Sequence, residues 1–236
     1  ESSVFFGVFL CLITYEFGLW LKKKTKLSVC NPLLISIALV IIFLVSLNIS
    51  YEKFEQGAKY ISFLLTPATV CLAVPLYEKL ELLKKNIKAI LAGIVSGVLA
   101  SLVSILAMSI LFNLSREHYI TLLPKSITTA IGMGVAEELG GIPAITAAVI
   151  IITGVFGNVV APLVLKIFNI NDPIAQGIGL GTSAHAVGTA KAMEMGETQG
   201  AMSSLSIALS GILTVVGASI FAVSYTHLTL PTKRIV

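Results

Sequence analysis

Long runs of apolar residues, parted by short polar loops, dominate the chain. They fall at about 4–21, 32–50, 60–77, 88–112, 142–168 and 200–223. An α-helix needs roughly 20 apolar residues to cross a bilayer, and each run is near that length. Transmembrane barrel strands would instead show alternating segments of about ten residues. Backbone groups in lipid must pair within helices or closed barrels, so the pattern predicts an all-α polytopic transmembrane bundle with about six full spans. Two further stretches, 119–139 and 174–195, are apolar but crowded with Gly, Ser and Thr. These are expected to be discontinuous or re-entrant segments.

Composition agrees. Hydrophobic residues make up 56% and charged residues 12%, where a soluble domain usually carries about 25% charged residues. Mean hydropathy is +0.96. A secretory signal is the alternative for 4–21, yet no basic region precedes that stretch and no small-residue cleavage site follows it. It is read as the first span. The chain starts at Glu1 without Met, so the native start is expected to lie elsewhere.

Charge placement sets an expected orientation, because short cytoplasmic loops carry the Lys and Arg excess. Lys22, Lys23, Lys24 and Lys26 follow the first run, and Lys79, Lys84, Lys85 and Lys88 follow the third. Both loops are placed on the cytoplasmic side. The net charge of +4 is then explained by topology, and no basic patch with aromatic platforms points to nucleic acid. Cys11, Cys30 and Cys71 stand far apart without a CxxC pair, so neither a metal nor a cofactor is expected from them. After Val223 the composition switches to SYTHLTLPTKRIV. Residues 1–223 are read as one transmembrane domain and 224–236 as a non-native tail, excluded with His227 from functional reasoning.

Polar residues inside a membrane carry the information, because each costs free energy unless it is partnered or lines a wet cavity. The run LLTPATVCLAVPLYE holds Pro67 and Pro75 with Thr66 and Thr69 beside them. Proline removes a helical hydrogen bond, so a bend or an unwound turn is expected there, as an ordinary kink or as part of a site. LPKSITTAIGMGVAEELGGIPA holds Lys125, Ser126, Thr128, Thr129, Gly132 and Gly134. GIGLGTSAHAVGTAKAMEMGE holds Gly177, Gly179, Gly181, Thr182, Ser183, His185, Gly188, Thr189 and Lys191. Their glycines permit close backbone approach, and their hydroxyls can satisfy freed backbone groups or a ligand.

The two stretches also resemble each other. AIGMGVAEELG from Ala130 aligns with AVGTAKAMEMG from Ala186, matching Gly132 with Gly188 and Glu138 with Glu194 at an offset of 56. Thr153-Gly154 and Ser210-Gly211 then align at an offset of 57. An internal duplication is one reading, and chance alignment of apolar sequence is the other. Duplicated, inverted units with broken helices meeting near the midplane are a transporter pattern.

Unwound N–H groups and helix N-termini suit carboxylates or phosphates, so a small organic anion fits the inventory. The candidate binding residues are Thr66, Pro67, Lys125, Ser126, Thr128, Thr129, Gly132, Gly181, Thr182, Ser183, His185, Gly188 and Thr189. Lys125 would add a full charge, unless its ammonium simply reaches interfacial water. His185 is a candidate proton carrier or a structural histidine bonded to a neighbouring Thr. Glu137, Glu138, Glu194 and Glu197 sit at segment ends and rank below the hydroxyls as solvated loop residues. Gly177-x-Gly179-x-Gly181 follows no strand and is not a dinucleotide loop. Ser183 and His185 lack the nucleophile elbow and acid of a hydrolase, and no enzyme is expected.

With these residues in view, the chain resembles the LrgB/CidB family of membrane proteins, to which the C-terminal half of the plastid glycolate/glycerate translocator also belongs. The resemblance runs from about Asn31 to Ala222. It rests on NPLL at Asn31 to Leu34, PLYE at Pro75 to Glu78, LPKSITT ending at Thr129, GGIPA at Gly140 to Ala144, LGTSAHAVGTA at Leu180 to Ala190 and SSLS at Ser203 to Ser206. One departure is Ala130, where the family pattern has proline after KSxTT. The resemblance implies a multi-pass protein of the bacterial inner membrane and two activities. One is transport of small carboxylates such as glycolate, glycerate or pyruvate, with proton coupling as one form of it. The other is holin-like or antiholin-like control of murein hydrolases and autolysis. A small LrgA/CidA-type membrane protein or further copies of the chain are the implied partners, beside the lipid bilayer itself. The site residues favour transport, because a lesion-forming holin has no need of a pocket of hydroxyls, broken helices and one lysine.

Overall fold

The computed structural model describes residues 5–25, 32–64, 67, 70–71 and 73–229. Every regular element among them is helical. The chain forms two compact units, Glu1–Leu72 and Ala73–Val236.

The first unit holds α1 (Phe6–Thr25), α2 (Pro32–Ser46) and α3 (Tyr51–Phe63). Small and hydroxylated residues join them. The Thr14 and Ser36 hydroxyls share a hydrogen bond of 2.8 Å between α1 and α2, and Gly18 lies directly against the Pro32 backbone. Close backbone approach of this kind is how helices associate where lipid removes the hydrophobic driving force.

The second unit holds α4 (Ala73–Glu78), α5 (Leu80–Leu111), α6 (Arg116–Leu122), α7 (Thr129–Leu139), α8 (Pro143–Ile167), α9 (Pro173–Met195) and α10 (Glu197–Thr229). Among the described residues, three helices are long and apolar enough to cross a membrane: α5, α8 and, over Glu197–Tyr225, α10. In the first unit, α2 is apolar but shorter. The apolar run at 60–77 is divided between α3 and α4. The bend expected at Pro67 falls among residues outside the described set, apart from the exposed Pro67 itself.

Three of these helices end in the same way. Asn48, Asn113 and Asn169 take positive φ values of 51°, 49° and 52° just past α2, α5 and α8. The next residue's N–H reaches back five positions in each case, Ile49 to Leu44, Leu114 to Ser109 and Ile170 to Leu165, all at 2.9 Å. This left-handed cap satisfies the last carbonyls and stops the helix, and Asn tolerates the conformation better than a branched residue. At the other ends, Asp172 accepts the Ala175 N–H at 2.9 Å, with Pro173 in the first turn of α9.

Burial follows the logic of lipid rather than of water. On α10 the buried face carries Ser203, Ser206, Ser210, Thr214, Ala218, Ala222 and Tyr225, spaced by three or four. Ile152 and Phe156 of α8 are each 66% exposed. α10 packs against α9, α5 and α4, and α9 against α8 and α5. The helix continues without a break beyond Val223, where Tyr225 stacks on Tyr119 with ring centroids 4.2 Å apart.

Candidate functional site

The 23 residues of α9 are not one straight helix. His185 sits at φ 42° and ψ −134°, outside any helical region. A Cβ placed on Gly188 would lie 2.5 Å from the Leu180 carbonyl oxygen, eight residues earlier. In a straight helix those residues would be about 12 Å apart, so the two halves fold back on one another. Only a residue without a side chain allows this approach.

The first Gly-rich stretch does the same with different elements. Between α6 and α7 the chain turns at 123–128, and a Cβ on Gly132 would lie 3.4 Å from the Pro124 carbonyl, again eight residues earlier. Both contacts are related by the offset of 56 read from the sequence.

Polar bonds hold each tip. The His185 Nε2–H donates to the Ile150 carbonyl of α8 at 2.9 Å, and Asn158 Nδ2 donates to the Val187 carbonyl at 2.9 Å. Thr189 donates to the His185 carbonyl at 3.1 Å and shares a 2.7 Å bond with Ser203 of α10. Thr121, at the end of α6, accepts the Ile142 N–H at 2.9 Å, while its carbonyl accepts from Thr146 at 2.9 Å. These bonds satisfy groups that a broken helix leaves unpaired.

The tips converge on a cleft of about 390 Å³ between α8 and α9, lined among others by Lys125, Thr153, Phe156, Gly157, Gly179 and Ser183. Lys125 comes from the first tip and Ser183 from the second. The Lys125 ammonium donates to Ser126 Oγ at 3.1 Å and forms no ion pair among the described residues. The acidic side chains lie elsewhere. Glu194 pairs with Lys191 at 2.9 Å, Glu197 pairs with Lys79 at 3.0 Å, and Glu137 and Glu138 are exposed.

Hydroxyl direction separates the remaining candidates. Ser183 donates to the Gly179 carbonyl at 2.6 Å and Thr182 to the Ile178 carbonyl at 2.8 Å. Ser183 is exposed, Thr182 is buried against Gly97 of α5, and Lys125 brings its ammonium donors to the cleft beside the Thr153 hydroxyl. Thr182 faces a second cleft of about 550 Å³ between α5 and α9.

Gly181 packs on the Ser203 backbone, and Gly188, Thr189 and His185 are buried in the hairpin. Thr128 occupies the N-cap position of α7 without a side-chain capping bond, with Thr129 and Gly132 in the first turn. Thr66 lies outside the described residues, and Pro67 belongs to the first unit. Ser101 and Asn158 were not among the sequence candidates. Asn158 carried a signal as a carboxamide in an apolar run, and Ser101 as the third of three small residues, after Gly93 and Gly97, spaced by four.

A broken helix pair with a lysine at the cleft accompanies the motifs quoted above, and comparison with known proteins agrees. Residues 11–223 match the LrgB-like family. The chain belongs to that family.

Similar LrgB relatives include the antiholin-like protein LrgB of Bacillus mycoides (strain KBAB4) and that of Bacillus cereus (strain B4264). Each is 38% identical over 218 residues, covering 92% of this chain and 95% of the relative. The same description and identity hold for a relative from Bacillus anthracis (strain CDC 684 / NRRL 3495). No solved structure matches this LrgB-like chain. With its long apolar helices, the LrgB-like chain is a multi-pass membrane protein.

Proposed function

We propose that the chain transports small carboxylates of the glycolate, glycerate or pyruvate type across a bacterial inner membrane. The observation that carries this reading is Lys125, a cation facing a cleft without a carboxylate partner among the described residues, at the meeting of two folded-back segments. A lone ammonium in an apolar wall is costly without an anion, so a monovalent anionic solute completes the site. The N-terminus of α7 lies next to it in the chain and adds partial positive charge of the same sense.

The lone pairs of Ser183 suit a hydroxyl on the solute, which glycolate and glycerate have and pyruvate lacks. The two tips are read as copies of one unit, the second inverted, with six full spans in all, and solute passing between the tips. Proton coupling is part of the reading, with the chain acting as a carrier and not an enzyme. A small LrgA/CidA-type membrane protein or a second copy of the chain is the proposed partner.

A second reading has its own support in the printed names of the relatives, which are antiholin-like proteins. In it the chain modulates murein hydrolase activity and autolysis together with an LrgA/CidA-type partner. Uptake of labelled glycolate and pyruvate into proteoliposomes, with and without a pH gradient and with and without the partner, separates the two. Saturable uptake that Lys125→Ala abolishes supports transport. Absence of uptake under all four conditions, alongside altered autolysis in cells lacking the protein, leaves the antiholin reading standing alone.

A further inference from the structure

We propose that Ser101, on α5, is a positioning residue of this site, holding the Ser126 hydroxyl as a hydrogen-bond donor to the solute. The inference rests on the carboxylate-transport reading and deepens it.

Ser126 is buried at the first tip, and its oxygen receives two hydrogen bonds. Ser101 Oγ donates to it at 3.1 Å, and the Lys125 ammonium donates to it at 3.1 Å. A hydroxyl has two acceptor lone pairs and one proton. With both lone pairs engaged, the one remaining function of Ser126 is to donate, and no described residue accepts that proton. Lys125 retains two N–H donors. Ser126 and Lys125 therefore both offer donors, and an acceptor-only group such as a carboxylate satisfies them together. A carboxamide would oppose its own N–H groups to these donors.

The other hydroxyls show what Ser126 does without Ser101. Thr182 and Ser183 each direct their proton to a carbonyl of their own helix, at 2.8 Å and 2.6 Å. Serine and threonine in a turn or helix can take this local bond, as Ser204 and Ser206 also do. At the second tip, the residue related to Ser126 by the offset of 56 is Thr182, and it packs against Gly97, one turn before Ser101 on α5. Glycine has no hydroxyl to give. The same face of α5 thus meets both tips, and it carries a donor at the first tip alone.

Proteoliposome uptake of labelled glycolate tests the assignment in wild type, Ser101→Ala, Ser101→Cys, Ser126→Ala and the Ser101→Ala/Ser126→Ala pair, with unlabelled glycolamide as competitor. Loss of one hydrogen bond corresponds to about a three- to tenfold rise in KM. That rise is expected in Ser101→Ala with the maximal rate unchanged, together with stronger competition by glycolamide. On the Ser126→Ala background the same change should add less than about twofold, because a residue acting through Ser126 has nothing left to position. Ser101→Cys keeps the packing with a weaker donor and should show the same KM rise, so the test does not depend on Ser101→Ala folding. A wild-type KM in both Ser101 variants, or an equal further rise on the Ser126→Ala background, overturns the assignment while leaving transport intact. Absence of saturable uptake by the wild type overturns the transport reading and this inference with it.

Discussion

Gly188 lies against the carbonyl oxygen of Leu180, eight residues before it in the same helix, at a distance that leaves no room for a side chain. The relationship makes α9 a hairpin of two half-helices. At about 1.5 Å per residue neither half covers the roughly 30 Å hydrocarbon core by itself. A leucine at position 188 must push the halves apart, and overpacking of this kind costs about 1–3 kcal/mol or more. Gly188→Leu is expected to lower the thermal midpoint of the detergent-purified protein by fluorescence-detected size exclusion. Gly179→Ala, where a Cβ meets nothing within 4 Å, should leave it unchanged or raise it. Equal loss in both variants would contradict the hairpin.

His185 occupies a backbone conformation that side chains rarely adopt, at a cost of about 1–3 kcal/mol for a residue other than glycine. Its ring repays part of that through the bond to Ile150. His185→Ala removes the bond and keeps the strain, whereas His185→Gly removes both. The glycine variant should therefore be the more stable by about 1 kcal/mol, measured as thermal midpoints of the two purified variants side by side. An alanine variant as stable as the glycine one would mean that the break lies elsewhere.

Lys125 and folding should separate cleanly. Replacing it with methionine removes a cation from an apolar wall, so stability is expected to hold or improve. Glycolate uptake should fall, with KM raised about ten- to a hundredfold, the range for a hydrogen bond to a charged group. Unchanged uptake kinetics in Lys125→Met would place the anion site away from this cleft.

Thr189 and Ser203 join the second half of α9 to α10 through a buried 2.7 Å bond. Thermal or denaturant stability of Thr189→Val, Ser203→Ala and the double variant should reveal a coupling of about 1 kcal/mol, with the second substitution costing less than the first. Strict additivity would show that the two hydroxyls do not act as a pair.

Much of the architecture was legible in the sequence because lipid imposes a simple rule: a segment that crosses must be apolar throughout and helical. The runs at 88–112, 142–168 and 200–223 meet that rule and correspond to α5, α8 and α10. The Gly-rich stretches stood out because they break it. Of the two glycines aligned at the offset of 56, Gly188 is pressed on the Leu180 carbonyl, whereas Gly132 is pressed on the Ile150 side chain and meets the Pro124 carbonyl at ordinary contact distance.

What tertiary structure alone decided is where each polar atom points. Lys125, Ser126, Thr182 and Ser183 look alike in sequence as polar residues in apolar surroundings. In the fold, Ser183 and Thr182 donate to their own helix, while Ser126 receives bonds from Lys125 and from Ser101. Ser101 is 25 residues from Ser126 in the chain, and nothing local links them. A hydroxyl can donate or accept, and which it does is set by the neighbours that packing brings to it. The apolar runs made this a membrane bundle by themselves; the crossing of α5 with the two tips made one of its serines a donor.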